Sequence, residues 1–411
     1  MKKILLMILT PIVAMCVLSF GNGYFTTFSA IELTQKGHSH IVIGIISAAY
    51  FLGMTAGPYF SQYTIVRVGY IRAFSLFASA MAISTLLLGL FDGIAPWIIL
   101  RFICGYSLAA LFVIIESWCL LSADKKNRGT IFSIYLFVYY GTQAFSQLML
   151  NFHFSNILIA YCFVSTLCSF AIVLMCFTKT VAPAPKAESV GSPLAIIKKV
   201  PLGMLAGFTG GFLLGSIYSM LPISLDGLGN NSFISIIMMT TILGGMALQI
   251  PIGKASDMID RRLVMLGVGV ALVVLSFLVF ITYSNLMFFT IVMFLFGGGA
   301  FVVYPLAISH ASDFLEEEQI MSAIGIITIF YGLGSVVGPL IISVIIDIIG
   351  NLGFFIVTAG MSCILCAYIF YRLFVRSKAS DEESSNFALV SPESVSFGEA
   401  QEVVSDKLAE E

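Results

Sequence analysis

Residues 110–121 read ALFVIIESWCLL, and Glu116 is the one charged side chain in this apolar run. Arg101 lies earlier in the same apolar stretch. If the stretch is a helix within a bilayer, a charge near the bilayer centre costs about 2.5–3.5 kcal/mol and needs a reason to be there. At about 1.5 Å of rise per residue the two side chains are about 22 Å apart, so they cannot pair directly. Glu116 must therefore contact a partner on another helix or carry a proton.

A buried carboxylate can take part in proton transfer when opposing influences act on it. Desolvation raises a carboxyl pKa and a nearby cation lowers it, so a group between these influences titrates near neutral pH. Proton coupling requires this behaviour. Two structural alternatives stay open for Glu116: it is a counter-ion toward which Arg67 or Arg72 extends, or it makes an ordinary hydrogen bond in the core.

The composition places these residues in a membrane protein. Hydrophobic residues make up 59% of the chain and charged residues only 10%, and the mean hydropathy is +1.02. A soluble chain of 411 residues needs more charge than this to cover its surface. A spanning helix needs about 20 mainly apolar residues. Twelve segments meet this requirement, and they are roughly residues 4–31, 41–64, 73–91, 97–121, 130–150, 155–177, 201–223, 232–252, 263–283, 286–310, 320–345 and 353–374.

The basic residues predict the orientation of these spans. With the N-terminus inside, 18 of the 20 lysines and arginines fall on the inner side, Lys36 falls in an outer loop and Arg101 lies within a span. An excess of lysine and arginine in cytoplasmic segments sets membrane topology. We therefore expect a multi-pass protein of the cell inner membrane with both termini in the cytoplasm.

Two short matches indicate that the chain is an internal duplication. VYYG at 138–141 matches IFYG at 329–332, an offset of 191 residues. The same offset places VRVGYIR at 66–72 over DMIDRRL at 257–263. Two matches at one offset, at corresponding points of a six-plus-six chain, favour duplicated six-helix bundles. Related halves with a midplane cavity between them suit alternating access.

The segment composition predicts four regions. Residues 1–178 and 201–375 are the two six-helix bundles, and the Pro-, Ala- and Ser-rich segment 179–200 is a cytoplasmic linker. Residues 376–411 are acidic and have the composition of a disordered cytoplasmic tail. The tail is either a solvated end or a segment that binds a regulatory partner.

The inner loops resemble signatures of the major facilitator superfamily. GKASDMIDRR at 253–262 is similar to its cytoplasmic Gly-x-x-x-Asp motif, with departures at Met258 and Asp260, and GSVVGP at 334–339 resembles its Gly-x-x-x-Gly-Pro motif. The resemblance implies an all-α membrane protein of twelve transmembrane helices in two pseudo-symmetric six-helix bundles, the major facilitator fold. It also implies a cytoplasmic gate, for which an ordinary loop that sets topology is the alternative. The predicted gate residues are Arg67, Gly69, Arg72, Gly253, Asp257, Arg261, Arg262 and Asp313.

A second set of short segments narrows the resemblance to the YcaD-like branch of this superfamily. The segments are IESW (115–118), NRG (127–129), YYGTQAFSQL (139–148), GSIYSMLP (215–222) and YPLAISHASD (304–313). The resemblance implies that Arg101 modulates proton binding, while a cation extending to the outer interface is the alternative. The resemblance does not indicate which substrate is transported.

The predicted substrate cavity draws on polar and aromatic side chains from corresponding spans of the two halves. Interhelical hydrogen bonds and interfacial anchoring are competing explanations for these residues. His310, the one histidine within a predicted span, is either a proton relay or a packed neutral imidazole. The cavity candidates are Asn22, Tyr24, Tyr50, Trp118, Tyr139, Gln143, Gln147, Tyr218, Gln249, Tyr304 and Tyr331.

Together these features predict a secondary active transporter that moves a small organic solute by alternating access and is coupled to protons. Glu116, Arg101 and His310 are the candidates for proton coupling or gating. We expect a monomer in the lipid bilayer, with a small-molecule substrate and protons as partners and with no nucleic acid, cofactor, metal site or catalytic residues. A membrane-embedded enzyme lacks support, because the spans contain no paired carboxylates, metal-ligand cluster or activated nucleophile. The other alternative is a transporter-derived sensor that signals through its acidic tail.

Overall fold

A computed structural model describes the backbone of residues 2–121, 128–152, 154–177, 199–226, 228–315 and 317–375. Side chains are described over the same ranges except at residues 2–8, 120–121, 128–129, 317–318 and 321–322. The predicted linker, apart from its last two residues, and the predicted tail therefore lie outside the described residues.

The described residues form thirteen α-helices and one 3₁₀ turn. The first bundle contains α1 (Lys2–Gln35), α2 (His40–Val68), α3 (Tyr70–Leu90), α4 (Ile94–Leu121), α5 (Arg128–Ser146), the 3₁₀ turn Gln147–Asn151 and α6 (Ile157–Cys176). The second contains α7 (Pro201–Ser219), the short α8 (Leu221–Asp226), α9 (Asn231–Met258), α10 (Arg261–Thr282), α11 (Leu286–Ser312), α12 (Glu317–Ile349) and α13 (Gly353–Val375).

Twelve of these helices are long, and they correspond to the twelve predicted spans. Counted over the described residues, 11 are long and apolar enough to cross a membrane. The twelfth, α5, is 19 residues long, carries several hydroxyl and amide side chains and continues into the 3₁₀ turn. The predicted span at 201–223 is interrupted at Met220, which separates α7 from α8. The predicted all-α membrane fold is confirmed.

Caps and turns in the sequence explain where several helices begin. Asn156 caps α6 by accepting a hydrogen bond from the backbone N–H of Leu158 at 2.9 Å, and Asp260 caps α10 by accepting one from Arg262 at 3.0 Å. The turn between α2 and α3 is a single residue, Gly69, with φ at +81°. Only glycine adopts this conformation without strain, so α3 can start directly after α2 ends.

The bounds of equivalent helices are related by the same offset as the predicted duplication. Adding 191 to the bounds of α2 gives 231–259, and α9 runs from Asn231 to Met258. The same shift moves α3 to 261–281, and α10 runs from Arg261 to Thr282. The duplication found in short sequence matches therefore extends to whole helices.

The packing follows the same pseudo-symmetry. In the first bundle α2 packs against α4 and α3 against α6, and in the second α9 packs against α11 and α10 against α13. Between the bundles, α2 contacts α12 and α9 contacts α5. The α2–α12 contact and the α9–α5 contact are equivalent under the pseudo-symmetry that relates the two halves. This equivalence is expected when two related bundles face one another.

Glycines at equivalent positions let the paired helices approach closely. A Cβ atom added at Gly53 on α2 would overlap the carbonyl oxygen of Phe102 on α4, and one added at Gly244 on α9 would overlap that of Phe294 on α11. The two glycines are 191 residues apart. Small residues at helix contacts in membranes permit this backbone approach, so the same device builds both bundles.

The two ends of the molecule differ in their charges. One end carries the α2–α3 turn at Gly69 and the α9–α10 turn at 259–260. We call it the basic end, because the predicted topology assigns most of the lysines and arginines to this side. The other end, which carries residues 36–39 and 350–352, is called the opposite end.

Candidate functional site

A cavity lies between the two bundles, near the middle of the long helices. It encloses about 750 Å³, part of it open to solvent. Helices α1, α2, α4 and α5 line one side, and α7 and α12 line the other. The lining residues are Asn22, Gly23, Thr26, Tyr50, Phe51, Met54, Thr55, Pro58, Tyr59, Leu108, Ala109, Tyr139, Gln143, Tyr218, Thr328, Tyr331, Gly332 and Ser335.

The structure brings six of the eleven predicted cavity residues together in this lining. Four are tyrosines and two are amides, and they come from both halves of the chain. They are Asn22, Tyr50, Tyr139, Gln143, Tyr218 and Tyr331. The cavity thus presents aromatic faces together with a small number of hydrogen-bonding groups.

The three other predicted aromatic residues are packed outside the lining. Tyr24 and Trp118 are each 1% exposed, and Trp118 lies edge-on to Tyr70 within the first bundle, with ring centroids 6.2 Å apart. Tyr304 is fully buried, and its hydroxyl is 2.7 Å from that of Thr328. These three side chains therefore belong to the packed interior and do not line the cavity.

The two other predicted amides are occupied by contacts between helices. Gln147 accepts a hydrogen bond from Thr27 at 2.7 Å and donates one to the carbonyl oxygen of Gly23 at 3.0 Å. Gln249 donates to the carbonyl oxygen of Phe301 at 3.4 Å. Gln147 thus ties the 3₁₀ turn to α1, and Gln249 ties α9 to α11.

Sequence reasoning missed several polar residues of the lining, among them Thr26, Thr55, Thr328 and Ser335. Each bonds a carbonyl oxygen of its own helix: Thr55 donates to Phe51 at 2.8 Å, for example. Hydroxyl side chains of this kind are common throughout the chain, so no sequence signal separates those at the cavity from those elsewhere.

The polar groups of the lining are linked in pairs. Tyr50 donates to Oδ1 of Asn22 at 3.2 Å, and Gln143 donates to the hydroxyl of Tyr139 at 3.0 Å. Oε1 of Gln143 is buried and has no hydrogen-bond partner among the described residues. An unsatisfied buried acceptor costs about 1–3 kcal/mol.

Among the residues that the structure describes, the lining contains no Asp, Glu, Lys, Arg or His. A charged solute would therefore lose its hydration on entry without meeting an opposite charge in the wall, and that loss is large for an ion. The surface instead offers aromatic rings, hydroxyl groups and amides. This arrangement suits an uncharged solute that forms hydrogen bonds.

Arg101 lies behind the cavity wall. It is 3% exposed, and its guanidinium carbon is 4.3 Å from the ring centroid of Tyr50 and 5.4 Å from that of Phe25. Its Nη1 has no hydrogen-bond partner among the described residues. Both roles predicted for Arg101, modulation of proton binding and a cation extending to the interface, stay predictions. Tyr50 connects the cation to the cavity, because its ring covers the guanidinium while its hydroxyl contacts Asn22.

Glu116 is buried within the first bundle. It is 4% exposed, so it does not face lipid, and it is not part of the cavity lining. It lies two turns along α4 from Ala109 of the lining, about 10 Å toward the basic end. Arg67 and Arg72, the counter-ions considered for it, both have exposed side chains. Its role in proton coupling stays a prediction.

The predicted gate residues of the second half form an ion-pair cluster at the basic end. Arg261 on α10 is 3.2 Å from Asp257 on α9 and 3.4 Å from Asp313 at the end of α11. Arg262 pairs instead with Asp260, at 2.8 Å. Arg261 therefore joins three helices of one bundle, while Arg262 stabilises the start of its own helix.

The other predicted gate residues surround the two equivalent turns. Gly69 forms the turn between α2 and α3, Arg67 and Arg72 are exposed on either side of it, and Gly253 is buried on α9. His310, near the end of α11, is 7% exposed and lies edge-on to Phe314, with ring centroids 5.1 Å apart. His310 thus lies near the ion-pair cluster and away from the cavity lining.

His310 also lies close enough to influence the ionisation of Asp260. Burial by itself would raise the pKa of Asp260, but hydrogen bonds from the side chain and backbone of Arg262, the positive charge of Arg262 and the influence of a protonated His310 lower it below its usual value. Asp260 is thus held in its charged form by its neighbours.

An ionic cluster at the opposite end was not predicted from the sequence. Glu32 on α1 is 2% exposed, accepts a hydrogen bond from Tyr161 and lies 2.9 Å from Lys36, which is also 2.9 Å from Asp92. Burial lowers the pKa of Lys36, but its bonds to the two acids outweigh this and raise the pKa above its usual value. The residues are up to 129 positions apart, so their proximity had no local sequence signal.

Comparisons with known proteins decide the family. The model of the Major Facilitator Superfamily matches residues 12–233 and 204–407, which together cover most of the chain. The chain belongs to the major facilitator superfamily. The resemblance drawn from its inner-loop motifs is therefore confirmed, and the protein is a major facilitator transporter.

Relatives place the chain near one branch of the superfamily. It is 27% identical over 333 residues to the uncharacterized MFS-type transporter YcaD of Escherichia fergusonii, covering 80% of this chain and 86% of that one. To the YcaD protein of an Escherichia coli strain it is 27% identical over 350 residues, covering 84% and 91%. The predicted likeness to the YcaD branch is confirmed.

Solved structures share the fold. The nucleoside transporter NupG superimposes with a TM-score of 0.73 at 16% identity, covering 90% of this chain and all of the other. A D-xylose-proton symporter superimposes with a TM-score of 0.73 at 12% identity, covering 91% and 98%. At these identities the likeness concerns the fold alone. These proteins are transporters, and the alternative of a sensor receives no support from them.

Proposed function

We propose that the protein is a secondary active transporter that carries a small, uncharged organic solute through alternating access. The observation that carries this proposal is the cavity between two related bundles, whose described lining residues have aromatic and amide groups and no charged side chain. The bundles of residues 1–178 and 201–375 move against each other around this site, and the linker 179–200 joins them. We further propose that the protein is a monomer of the cell inner membrane with both termini in the cytoplasm.

We propose that proton coupling uses Glu116, with Arg101 as the buried cation of the same helix. Two facts support this assignment. Glu116 is buried in a span without facing lipid, and Arg101 contacts the ring of a cavity tyrosine. The arrangement separates the proton site from the solute site, so the two sites must communicate through the packing of α4 within the first bundle.

A ligand screen tests the solute site. Purified protein is heated with uncharged metabolites, and with charged analogues of the same size, and the unfolding temperature is recorded. A ligand that binds the folded state raises this temperature by mass action. We expect hits among uncharged compounds that have a planar or ring-shaped apolar face and hydrogen-bonding groups. Hits confined to charged compounds would contradict the proposal.

A matched pair of variants locates the hit. Gln143→Leu removes the amide that faces the cavity, and Gln249→Leu removes a buried amide that lies outside the lining. We expect the first change to weaken binding of the hit about tenfold, consistent with loss of about 1–2 kcal/mol of hydrogen bonding. The second change should leave affinity within about twofold of wild type. Equal effects of the two variants would place the binding site elsewhere.

Proton coupling is tested in proteoliposomes with the hit as solute. We compare solute-dependent proton flux in the wild type, Glu116→Gln and Glu116→Asp. The Gln variant should bind the solute but lose coupled proton flux, and the Asp variant should retain part of it, because it keeps a titratable group. Coupled flux that is unchanged in the Gln variant would remove Glu116 from the proton pathway.

A further inference from the structure

An ion pair joins the two bundles at the opposite end of the molecule. Nδ1 of His40, the first residue of α2, is 2.5 Å from Oδ1 of Asp347, near the end of α12. The two residues are 307 positions apart and belong to different halves of the chain. Their side chains are 27% and 28% exposed, so protons in the solution at this end can reach them.

A second carboxylate lies near the same imidazole. Asp226, at the end of α8, is close enough for His40 to influence its ionisation. Burial raises the pKa of Asp226, and the charge of His40 opposes that shift. A protonated His40 therefore faces two acids of the second bundle, which attract it, whereas a neutral His40 lacks this attraction.

In the described part of the chain, the lysine and the acids at this end other than Asp226 and Asp347 are engaged within the first bundle. Lys36 pairs with Glu32 and Asp92, each at 2.9 Å. His38 lies in the same short connection between α1 and α2. Neither α4 nor α13 begins with a charged residue at this end. The acids that face His40 thus come from α8 and α12, and a change in its charge acts across the boundary between the bundles.

Two further contact sites between the bundles at this end involve only uncharged groups. The hydroxyl of Ser235 on α9 donates to the carbonyl oxygen of Gln147 at 2.8 Å and accepts a hydrogen bond from Asn151 at 3.4 Å. Gly44 on α2, 191 positions before Ser235, packs tightly against Ser343 on α12. These neutral contacts close both symmetry-related helix pairs, and the histidine pair adds a contact that depends on pH to one of them.

We propose that His40 is a proton-binding site that controls closure of the opposite end: when His40 is protonated, its pairing with Asp347 and Asp226 holds the bundles together there, and loss of the proton favours opening. The proposal rests on the alternating access proposed above. Histidine side chains change charge between about pH 5 and 8. Acid in the solution at this end therefore favours the state that is closed toward that solution.

The test measures the separation of the bundles at the opposite end. Spin labels are placed at Gln35, at the end of α1, and at Asn351, between α12 and α13, in full-length protein whose native cysteines are replaced. Distance distributions are recorded from pH 5 to 8. We expect the ratio of short to long distances to rise at least about twofold toward low pH, as befits a partly exposed ion pair.

Variants assign the effect to the pair. His40→Gln and Asp347→Asn should each abolish the pH dependence, whereas His38→Gln, which removes a neighbouring histidine, should retain it. A pH response that persists in His40→Gln, or that is absent from the wild type, would overturn the inference. If the distances still respond to the bound solute in those cases, alternating access survives and only the proton-binding role of His40 fails.

Hydrogen exchange gives a second measurement that needs no cysteine replacement. Peptides covering residues 36–44 are compared between wild type and His40→Gln at several pH values, after correction for the intrinsic dependence of exchange on pH. We expect slower exchange at low pH in the wild type alone. Equal corrected profiles in the two proteins would overturn the inference as directly as the distance measurement.

Discussion

Replacing Arg261 with methionine should destabilise the second bundle by about 3 kcal/mol, because breaking a buried ion pair by removing one partner costs roughly that much. Arg261 is 4% exposed and lies 3.4 Å from Asp313, whose side chain is 7% exposed. Asp313 would then be left as a buried charge without this cation. Asp257, the other partner, has a side chain that is 32% exposed, so water can take over its contact.

The assay is reversible unfolding of the purified protein in mixed micelles, with four proteins compared: wild type, Arg261→Met, Asp313→Leu and the double variant. We expect each single variant to lose about 3 kcal/mol and the double variant to lose much less than the sum, because it removes both charges. Lys254→Met is the matched control. It removes a positive charge from an exposed position on α9, and its effect should be within about 0.5 kcal/mol.

Two results would refute this reasoning. Additive losses in the double variant would show that Arg261 and Asp313 do not act on one another. A loss in Arg261→Met no larger than that in Lys254→Met would show that the burial of the guanidinium carries no energetic weight. Either result would also remove the ion-pair cluster as a candidate for the gate at the basic end.

Three further predictions concern packing, the buried cation and acid stability. Gly53→Val should prevent close contact of α2 with α4 and abolish a monodisperse peak in size-exclusion chromatography, while Gly141→Ala, where nothing lies within 4 Å, should not. Tyr50→Leu should lower the unfolding free energy by about 1–2 kcal/mol more than Tyr50→Phe, because only phenylalanine keeps a ring over Arg101. Asp260 has a lowered pKa, so its stabilising effect is present above about pH 4 and is lost as the pH falls through the folded-state value. Acid titration of Asp260→Asn should therefore show a smaller loss of stability below pH 4 than wild type.

The fold could be predicted because its determinants are local or repeated. Lengths of apolar sequence define the spans, and a constant offset of 191 residues relates the halves, as the bounds of α2 and α9 show. Break points inside a span were not predictable. Within the predicted seventh span, α7 ends at Ser219 and α8 begins at Leu221, although the sequence stays apolar across the break.

Cavity residues were harder to predict because a shared helix face does not decide which side chain lines the cavity. Gln143 and Gln147 are four positions apart and are expected to share one face of a helix. Both do lie against Gly23 of α1. Only Gln143 belongs to the cavity lining, however, because the amide of Gln147 is engaged by Thr27 and by the carbonyl oxygen of Gly23.

The arrangement of charge in the first bundle has a consequence for transport. The cavity wall, as far as the structure describes it, is uncharged, and the buried cation lies one side chain behind it: Arg101 contacts the ring of Tyr50, and Tyr50 bonds Asn22 in the wall. A solute that competes for Asn22 would shift the hydroxyl of Tyr50 and with it the ring that covers Arg101. Since Arg101 and Glu116 lie on the same helix, this contact offers a physical route by which an uncharged solute can influence buried charges that it never touches.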